Sequence, residues 1–157
     1  MPVLSGRVGT FTDSVIRRMT RINNQYNSIN LSQGFPDFDP PQQLLDALAK
    51  TAYNGPHQYA VTFGAQNFRE ALAKKTSPAL HHEVDPNTEV CVTCGGTEAM
   101  MAAMMTICNP GDKVMIFSPF YENYGADAIL SGAEPIYIPL VPPTYEFDIS
   151  LIEKGFA

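Results

Sequence analysis

Hydrophobic residues in the first half of the chain recur three and four positions apart, as they do on one face of a helix. This spacing predicts helices over residues 11–27, 41–53 and 65–75. Thr12 or Asp13 is expected to cap the first of them. The stretches between these helices are rich in Gly, Pro and Asp, so we interpret them as loops. The residues expected to form the buried faces of the helices are Val15, Ile16, Met19, Ile22, Leu44, Leu45, Leu48, Ala52, Phe68 and Leu72.

The second half of the chain has a different pattern, in which short apolar runs alternate with helical segments. Strands are predicted at residues 89–93, 114–117 and 135–140. Continuous apolar strands separated by helices are typical of right-handed βαβ units with a parallel sheet. The sequence therefore predicts an α/β architecture for this part of the chain.

Three helices accompany these strands. The first, at residues 97–108, is apolar almost all round, so we expect it to be buried against the sheet. The second is predicted at residues 121–131 and is closed by Gly132. A further helix covers residues 147–154, with Asp148 as its cap.

Composition and charge narrow the class of protein. The chain has 157 residues, of which 45% are hydrophobic and 17% charged, as in a globular domain. Its net charge is −6 and its 10 Lys and Arg residues are scattered, which argues against nucleic acid or an anionic membrane as the main partner. No apolar run approaches the roughly 20 residues that span a bilayer. The first twelve residues have no apolar signal core, so we expect a cytoplasmic protein.

Cysteine and histidine usage does not favour a metal site. The three cysteines, Cys91, Cys94 and Cys108, have apolar neighbours, and we expect reduced, buried thiols. The Cys91–Cys94 spacing is formally that of a CxxC motif, but a zinc or redox site needs a second ligand pair or a thioredoxin-like context. His81 and His82 are interpreted as a solvated surface pair.

The junction between the first predicted strand and its helix carries the most specific chemistry. Gly95, Gly96 and Thr97 would begin the helix, where backbone N–H groups lack partners and the helix dipole is positive. Such a turn suits a phosphate. The spacing matches neither a dinucleotide fingerprint nor a P-loop, so a single phosphate group remains as the predicted ligand. The alternative is that the two glycines only form a tight turn. Glu98 favours that alternative, because its carboxylate would already satisfy the helix dipole.

Six segments occur in the order and at the spacing found in class I/II aminotransferases, the fold-type-I enzymes that use pyridoxal 5′-phosphate (PLP). The Gly-Phe-Pro-Asp-Phe version at residues 34–38 is most similar to the kynurenine and methionine aminotransferase branch. The resemblance covers essentially the whole chain. The segments are 29–38, 58–60, 64 with 68–71, 92–99, 111–114 and 118–124.

This resemblance implies a fold and an assembly. The fold would be α/β, namely part of the fold-type-I large domain, a three-layer αβα arrangement around a mostly parallel sheet. Residues 1–40 would be an N-terminal arm that belongs to the small domain, and residues 41–157 would begin the PLP-binding large domain. Complete members of this family act as homodimers on amino acids and 2-oxo acids, in amino acid metabolism and biosynthesis.

The resemblance also assigns the cofactor site. Gly95, Gly96 and Thr97 would hold the PLP phosphate, and Tyr121 would stack on the pyridine ring. Without the resemblance, Tyr121 is simply a core aromatic at the start of a helix. The bond between Ser118 and Pro119 aligns with one that is often cis in this family.

Four residues of the first half match further family positions. Tyr59 would reach the PLP phosphate of the partner subunit, although it could equally be an exposed loop aromatic. Gly34 would bind the substrate carboxylate through its backbone N–H, although a turn glycine is the alternative. Phe35 would line the substrate pocket together with Phe38, unless both only fill apolar space.

Several groups that transamination needs are not recognisable in this sequence. They are the lysine that attaches the cofactor, the acid partner of the pyridine nitrogen and the arginine that clamps the substrate carboxylate. None of the lysines has the Ser-x-x-Lys setting of the family, so no catalytic residue is named. The expected function is PLP-dependent amino transfer, with this chain as an inactive N-terminal fragment. The alternatives are a PLP-dependent β-lyase, or a non-catalytic fragment that pairs with a complementary chain.

The fold of the family has a consequence for stability. It places the first strand at one end of a seven-stranded sheet and the second and third strands at the other end. Residues 89–93 and 114–117 would then share no neighbour, and the apolar helix after the first strand would remain uncovered. We therefore expect that the 157 residues are a truncated or split product and not a self-sufficient fold.

Overall fold

The protein is described by a computed structural model that covers residues 3–10 and 13–156. Its chain divides into two compact units. One is Asp13–Val92, and the other combines residues 93–156 with residues 3–10. The division into an arm and a large domain at residue 40, which the resemblance implies, stays a prediction.

The unit Asp13–Val92 contains three helices: α1 (Val15–Tyr26), α2 (Gln42–Asn54) and α3 (Gln66–Leu80). Asp13, one of the two residues predicted to cap α1, is not the cap. The cap is Ser14, whose hydroxyl accepts a hydrogen bond from the N–H of Arg17. Asp13 pairs instead with the side chain of Arg21. Phe11 and Thr12 lie outside the described residues.

Helix α3 runs five residues further than its pattern predicts, through Pro78. Pro78 lies in the last turn, where the missing N–H removes one helical hydrogen bond without interrupting a longer helix. The hydroxyls of Thr76 and Ser77 donate to carbonyls three or four residues back and bridge this turn. The Ser77 hydroxyl also accepts from the N–H of Val84, which ties the following loop to the helix.

The apolar faces of these helices are less buried than the pattern predicts. Neither α1 nor α2 has a buried residue, and Leu44 and Leu48 are both exposed. On α3 the buried positions are Arg69 and Ala73, whereas Phe68 is exposed. Helical spacing identifies which side chains share a face, but burial needs a second surface to pack against that face.

The other unit contains α4 (Gly96–Ile107), β1 (Lys113–Ser118), α5 (Asn123–Leu130), β2 (Glu134–Pro139) and α6 (Ile149–Phe156). The two strands pair in parallel with Lys113 opposite Glu134, as βαβ connectivity requires. Gly132 adopts a positive φ and closes α5, and the carboxylate of Asp148 caps α6 through the N–H of Ser150.

Helices α5 and α6 pack on opposite faces of this sheet. Gly155 of α6 approaches the Met115 side chain so closely that a Cβ there would lie 2.6 Å from its sulfur. Gly125 of α5 lies against the hydroxyl of Tyr137, which the register places on the other face. Helices on both faces of a parallel sheet give the predicted αβα layers in partial form.

Two predictions for the region before the sheet were wrong in part. Residues 89–93 form no strand ladder within the described chain, and the N–H of Val92 donates to the carbonyl of Phe63. The Met-rich helix α4 has no buried residue. Both results have a related cause, since the described structure has no neighbouring strand for residues 89–93, and the packing of α5 against α4 leaves every residue of that helix partly exposed. The outcome agrees with the expectation that residues 89–93 lack a neighbouring strand and that the following apolar helix stays uncovered.

The cysteines are free, as predicted, but Cys91 and Cys94 are exposed and Cys108 is only half-buried. His82 is exposed, and its Nε2 lies 2.9 Å from the carboxylate of Glu89. That carboxylate also accepts the N–H of Asp85, which with His82 lowers the pKa of Glu89. Within the described residues, no three His, Cys, Asp or Glu side chains group as a metal site would require.

The chain exposes much more surface than its mass requires. Its accessible area is 12910 Å². A compact monomer of 17.2 kDa exposes about 7,800 Å², and two separate domains of half that mass expose about 9,400 Å² together. No helix in the described ranges is both long and apolar enough to cross a membrane.

Asp127 on α5 carries a buried carboxylate. It is 4% exposed, and its Oδ2 has no hydrogen-bond partner in the described part of the chain. Burial therefore raises the pKa of Asp127 above its ordinary value of 3.8. As the pH rises, the unfolded carboxylate ionises before the folded one, so ionisation favours unfolding. The resulting loss of stability is absent below pH 3.8 and persists at neutral pH.

We expect Asp127→Asn to stabilise the unit that contains β1 and β2 at pH 7 by about 1 kcal/mol, because the amide cannot ionise in its buried position. At pH 3 the variant and the wild type should be equally stable. Hydrogen exchange of the β2 amides at the two pH values measures both effects. Glu153→Gln, an exposed carboxylate on α6, is the matched control and should change neither value. A gain that is equal at pH 3 and pH 7 would contradict the ionisation argument.

Candidate functional site

The turn between residue 92 and helix α4 is built around Gly95. This residue has φ of 91° and ψ of 173°, a conformation that L side chains rarely adopt. Its N–H donates to the carbonyl of Thr93 at 2.9 Å, and the Thr93 hydroxyl donates to the carbonyl of Gly95 at 2.9 Å. The amide of Gly95 is therefore already bonded within the protein, and the predicted set of three free amides is reduced to two.

The two remaining amides belong to Gly96 and Thr97 in the first turn of α4. Neither N–H has a protein acceptor among the described residues. A Cβ added at Gly95 or Gly96 would meet no atom within 4 Å, so the space beside this turn is open. Free N–H groups at the positive end of a helix dipole, next to open space, suit an anion.

Glu98 satisfies part of this helix end, as the alternative interpretation of the turn predicts. Its carboxylate accepts a hydrogen bond from the N–H of Cys94, on the residue before the glycine pair. The contact fixes the carboxylate to the incoming backbone and leaves the amides of Gly96 and Thr97 without a partner in the described protein. It also places one negative charge near the turn, which any bound anion must tolerate.

Asn123 contacts the turn, although it is not among the predicted site residues. Its Nδ2 donates to the hydroxyl oxygen of Thr97 at 2.8 Å and so joins the first residue of α5 to the start of α4. The two residues are 26 positions apart, in the separate family segments 92–99 and 118–124, and no periodicity relates them. Only the packing of α4 against α5 brings them together.

An apolar cavity of about 450 Å³ lies between α4, β1 and the segment that follows β1. Tyr121, which is 53% exposed, is in its wall. The Tyr121 ring packs edge-on against Tyr124, with centroids 6.1 Å apart. The cavity can therefore accept an aromatic or aliphatic group of moderate size. Its other lining residues are Met100, Met104, Val114, Met115, Ile116, Phe117, Pro119, Phe120 and Tyr124.

A comparison with known protein families identifies the family to which the chain belongs. The family model for aminotransferase class I and II matches residues 26–155, which is most of the chain. The chain belongs to the class I and II aminotransferase family. This membership confirms the resemblance and the fold class that the six sequence segments indicated.

Relatives of this aminotransferase chain include a methionine aminotransferase and a kynurenine transaminase, the two kinds of enzyme in the branch that the sequence resembles. It is 38% identical to the methionine aminotransferase of Escherichia coli over 86% of its own length and 35% of the relative's. It is 34% identical to the kynurenine–oxoglutarate transaminase of Dictyostelium discoideum, over 87% of its length and 32% of the relative's. The chain therefore spans about a third of the length of the curated relatives that it matches.

The fold agrees with a solved Escherichia coli structure that was identified as a methionine aminotransferase. The TM-score is 0.89 at 34% sequence identity, and the match covers 98% of this chain and 40% of the other. The peptide bond between Ser118 and Pro119 is cis, as the family resemblance suggested.

The remaining predicted site residues of this aminotransferase chain lie in the unit Asp13–Val92. Tyr59 is fully exposed at 102%, and Phe35 is 64% exposed. A Cβ added at Gly34 would meet no atom within 4 Å, and Phe38 is exposed as well. No packing within the unit therefore explains these side chains, and their family roles stay predictions.

Proposed function

We propose that this chain supplies the phosphate-binding part of a PLP-dependent aminotransferase, which moves an amino group between an amino acid and a 2-oxo acid. The observation that carries the proposal is the start of α4. There the N–H groups of Gly96 and Thr97 have no acceptor in the described protein, and the adjoining space is open. Family membership supports the phosphate of PLP as the anion.

The residues at this turn fit a phosphate ester. Two amide N–H groups and the Thr97 hydroxyl can donate to its oxygens, and the dipole of α4 favours its charge. Gly95 allows close approach because it has no side chain. When bound, PLP acts as an electron sink for the amino acid substrate. Tyr121, on the wall of the apolar cavity, would hold one face of the ring and exclude water from it.

The other family positions complete the proposal. Tyr59 would bind the cofactor phosphate of a partner subunit, so the complete enzyme would be a homodimer. Gly34 would donate its N–H to the substrate carboxylate, and Phe35 would line the substrate pocket. We also propose a cytoplasmic location and a role in amino acid biosynthesis. No lysine of this chain is assigned to catalysis, so the isolated chain would bind the cofactor phosphate without catalysing transfer.

Binding of two probes that differ only in the phosphate tests the proposal. Pyridoxamine 5′-phosphate and pyridoxamine have no aldehyde, so neither reacts with surface lysines. We expect the phosphorylated probe to bind the 157-residue chain at least tenfold more tightly, the effect of about one charge-assisted hydrogen bond. Fluorescence titration without denaturant measures both dissociation constants. Equal affinities would contradict a phosphate site at this turn.

A single substitution localises the effect. Gly96→Pro removes one of the two free N–H donors at the first helical position, where proline is well tolerated. We expect the preference for the phosphorylated probe to fall about tenfold, while the affinity for pyridoxamine is unchanged. Gln42→Pro, at the corresponding position of α2, is the matched control and should leave the preference intact.

A further inference from the structure

The hydroxyl of Thr97 behaves differently from the other threonine hydroxyls in the α-helices. Those four all donate to the carbonyl four residues earlier, at distances of 2.5 to 3.0 Å. Such back-bonding consumes the hydroxyl hydrogen. The four residues are Thr20, Thr51, Thr76 and Thr106.

Thr97 makes no such bond in the described structure. The carbonyl four residues earlier belongs to Thr93, and it accepts the N–H of Gly95 at 2.9 Å. The Thr97 oxygen instead accepts a hydrogen bond from Nδ2 of Asn123 at 2.8 Å. A hydroxyl that accepts from one side still has its own hydrogen to donate, and no protein acceptor for that hydrogen lies among the described residues.

From this geometry we infer that Asn123 is a positioning residue, which holds the Thr97 hydroxyl so that its hydrogen points to a bound phosphate. The inference rests on the proposed phosphate site and adds a residue that contacts the site only through Thr97. Asn123 is half-buried at the start of α5, where the helix backbone restricts its side chain. An amide that donates to Thr97 also adds no negative charge beside the proposed phosphate site.

The consequence is a coupling between two side chains that can be measured. Thr97→Val removes the donor with little change in shape, and we expect the preference for pyridoxamine 5′-phosphate over pyridoxamine to fall about tenfold. Asn123→Ala leaves the hydroxyl free to rotate, so the preference should fall about threefold. In the Thr97→Val background, Asn123→Ala should have no further effect on the preference. Asn123→Asp should lower it more than Asn123→Ala, because the carboxylate takes the hydroxyl hydrogen and repels the phosphate.

Two controls separate positioning from a general structural effect. Thr106→Val removes a hydroxyl from the same helix and should leave the preference unchanged. A purely structural role of Asn123 would weaken both probes equally and leave their ratio intact, and that result would overturn the inference. Additive losses in the Thr97→Val, Asn123→Ala double variant would overturn it as well.

A measurement without any probe tests the contact itself. In ¹H–¹⁵N spectra of the wild-type chain, the side-chain amide signals of Asn123 should shift on Thr97→Val and stay in place on Thr106→Val. Asn123 side-chain signals that do not shift on Thr97→Val would overturn the inference even if the phosphate preference exists. If the wild type shows no phosphate preference, the proposed site itself fails, and the contact then serves only to join α4 to α5.

Discussion

The isolated chain should unfold in urea over a broad range and at low concentration, with a slope about 30% below that of a compact domain of the same length. The slope scales with the area that unfolding exposes. Unfolded, a chain of 17.2 kDa exposes about 24,900 Å², whereas the folded chain already exposes 12910 Å². Folding thus buries only about half of the available surface, against about 70% for an ordinary domain of 150 residues.

Circular dichroism and tyrosine fluorescence, followed through the same urea titration, measure this effect. Because the two compact units have separate cores, we expect the two signals to change at different urea concentrations. A single steep transition that both signals share would show that the 157 residues form a self-sufficient fold. That result would remove the expectation that other polypeptide must cover the exposed faces.

Replacement of Arg69 by methionine should disorder the loop that leads to residue 92. The Arg69 guanidinium is 6% exposed, and it donates to the carbonyls of Gly64 at 3.1 Å and Pro86 at 2.5 Å and to the side chain of Gln66. Hydrogen bonds from a charged donor contribute about 1.5–3 kcal/mol each. Loss of all three should destabilise the unit Asp13–Val92 by about 3 kcal/mol or more. Cleavage within residues 84–92 by a protease should then be about 100-fold faster.

The matched control for this substitution is Arg18→Met on α1. Arg18 is an exposed helical arginine, so the same chemical change should alter stability by less than about 0.5 kcal/mol. Arg69→Lys keeps the charge but loses the planar fork, and we expect intermediate protection of the loop. If both Arg69 variants were cleaved at the wild-type rate, the guanidinium would not be what holds this loop.

The parts of the fold that the sequence predicts well are those set by local chemistry. The turn residues around Gly132 and the cap at Asp148 mark helix ends within a residue or two, because the interactions that end a helix lie within one turn. The apolar runs of β1 and β2 also identify strands, because each strand pairs with the other across a single intervening helix. Family motifs then extend this local information, since they place Gly96 and Thr97 at the start of a helix that the structure confirms.

What the sequence does not predict depends on partners that are distant along the chain. Residues 89–93 have a strand pattern, but a strand needs a neighbour, and the described structure supplies only a bond to Phe63. Arginine is usually a surface residue, yet hydrogen bonds to the carbonyls of Gly64 and Pro86 keep Arg69 buried. Asn123 reaches Thr97 only because α4 packs on α5. Each of these contacts is created by tertiary packing, which leaves no periodic trace in the sequence.

The edge of β1 that faces away from β2 has practical importance for work on this chain. In the described structure that strand pairs on one side only, and the apolar cavity adjoins it. Unpaired backbone groups beside apolar side chains are a template on which further chains can add as extra strands. At high protein concentration the chain should therefore tend to aggregate edge to edge, and its solubility should improve when that template is occupied.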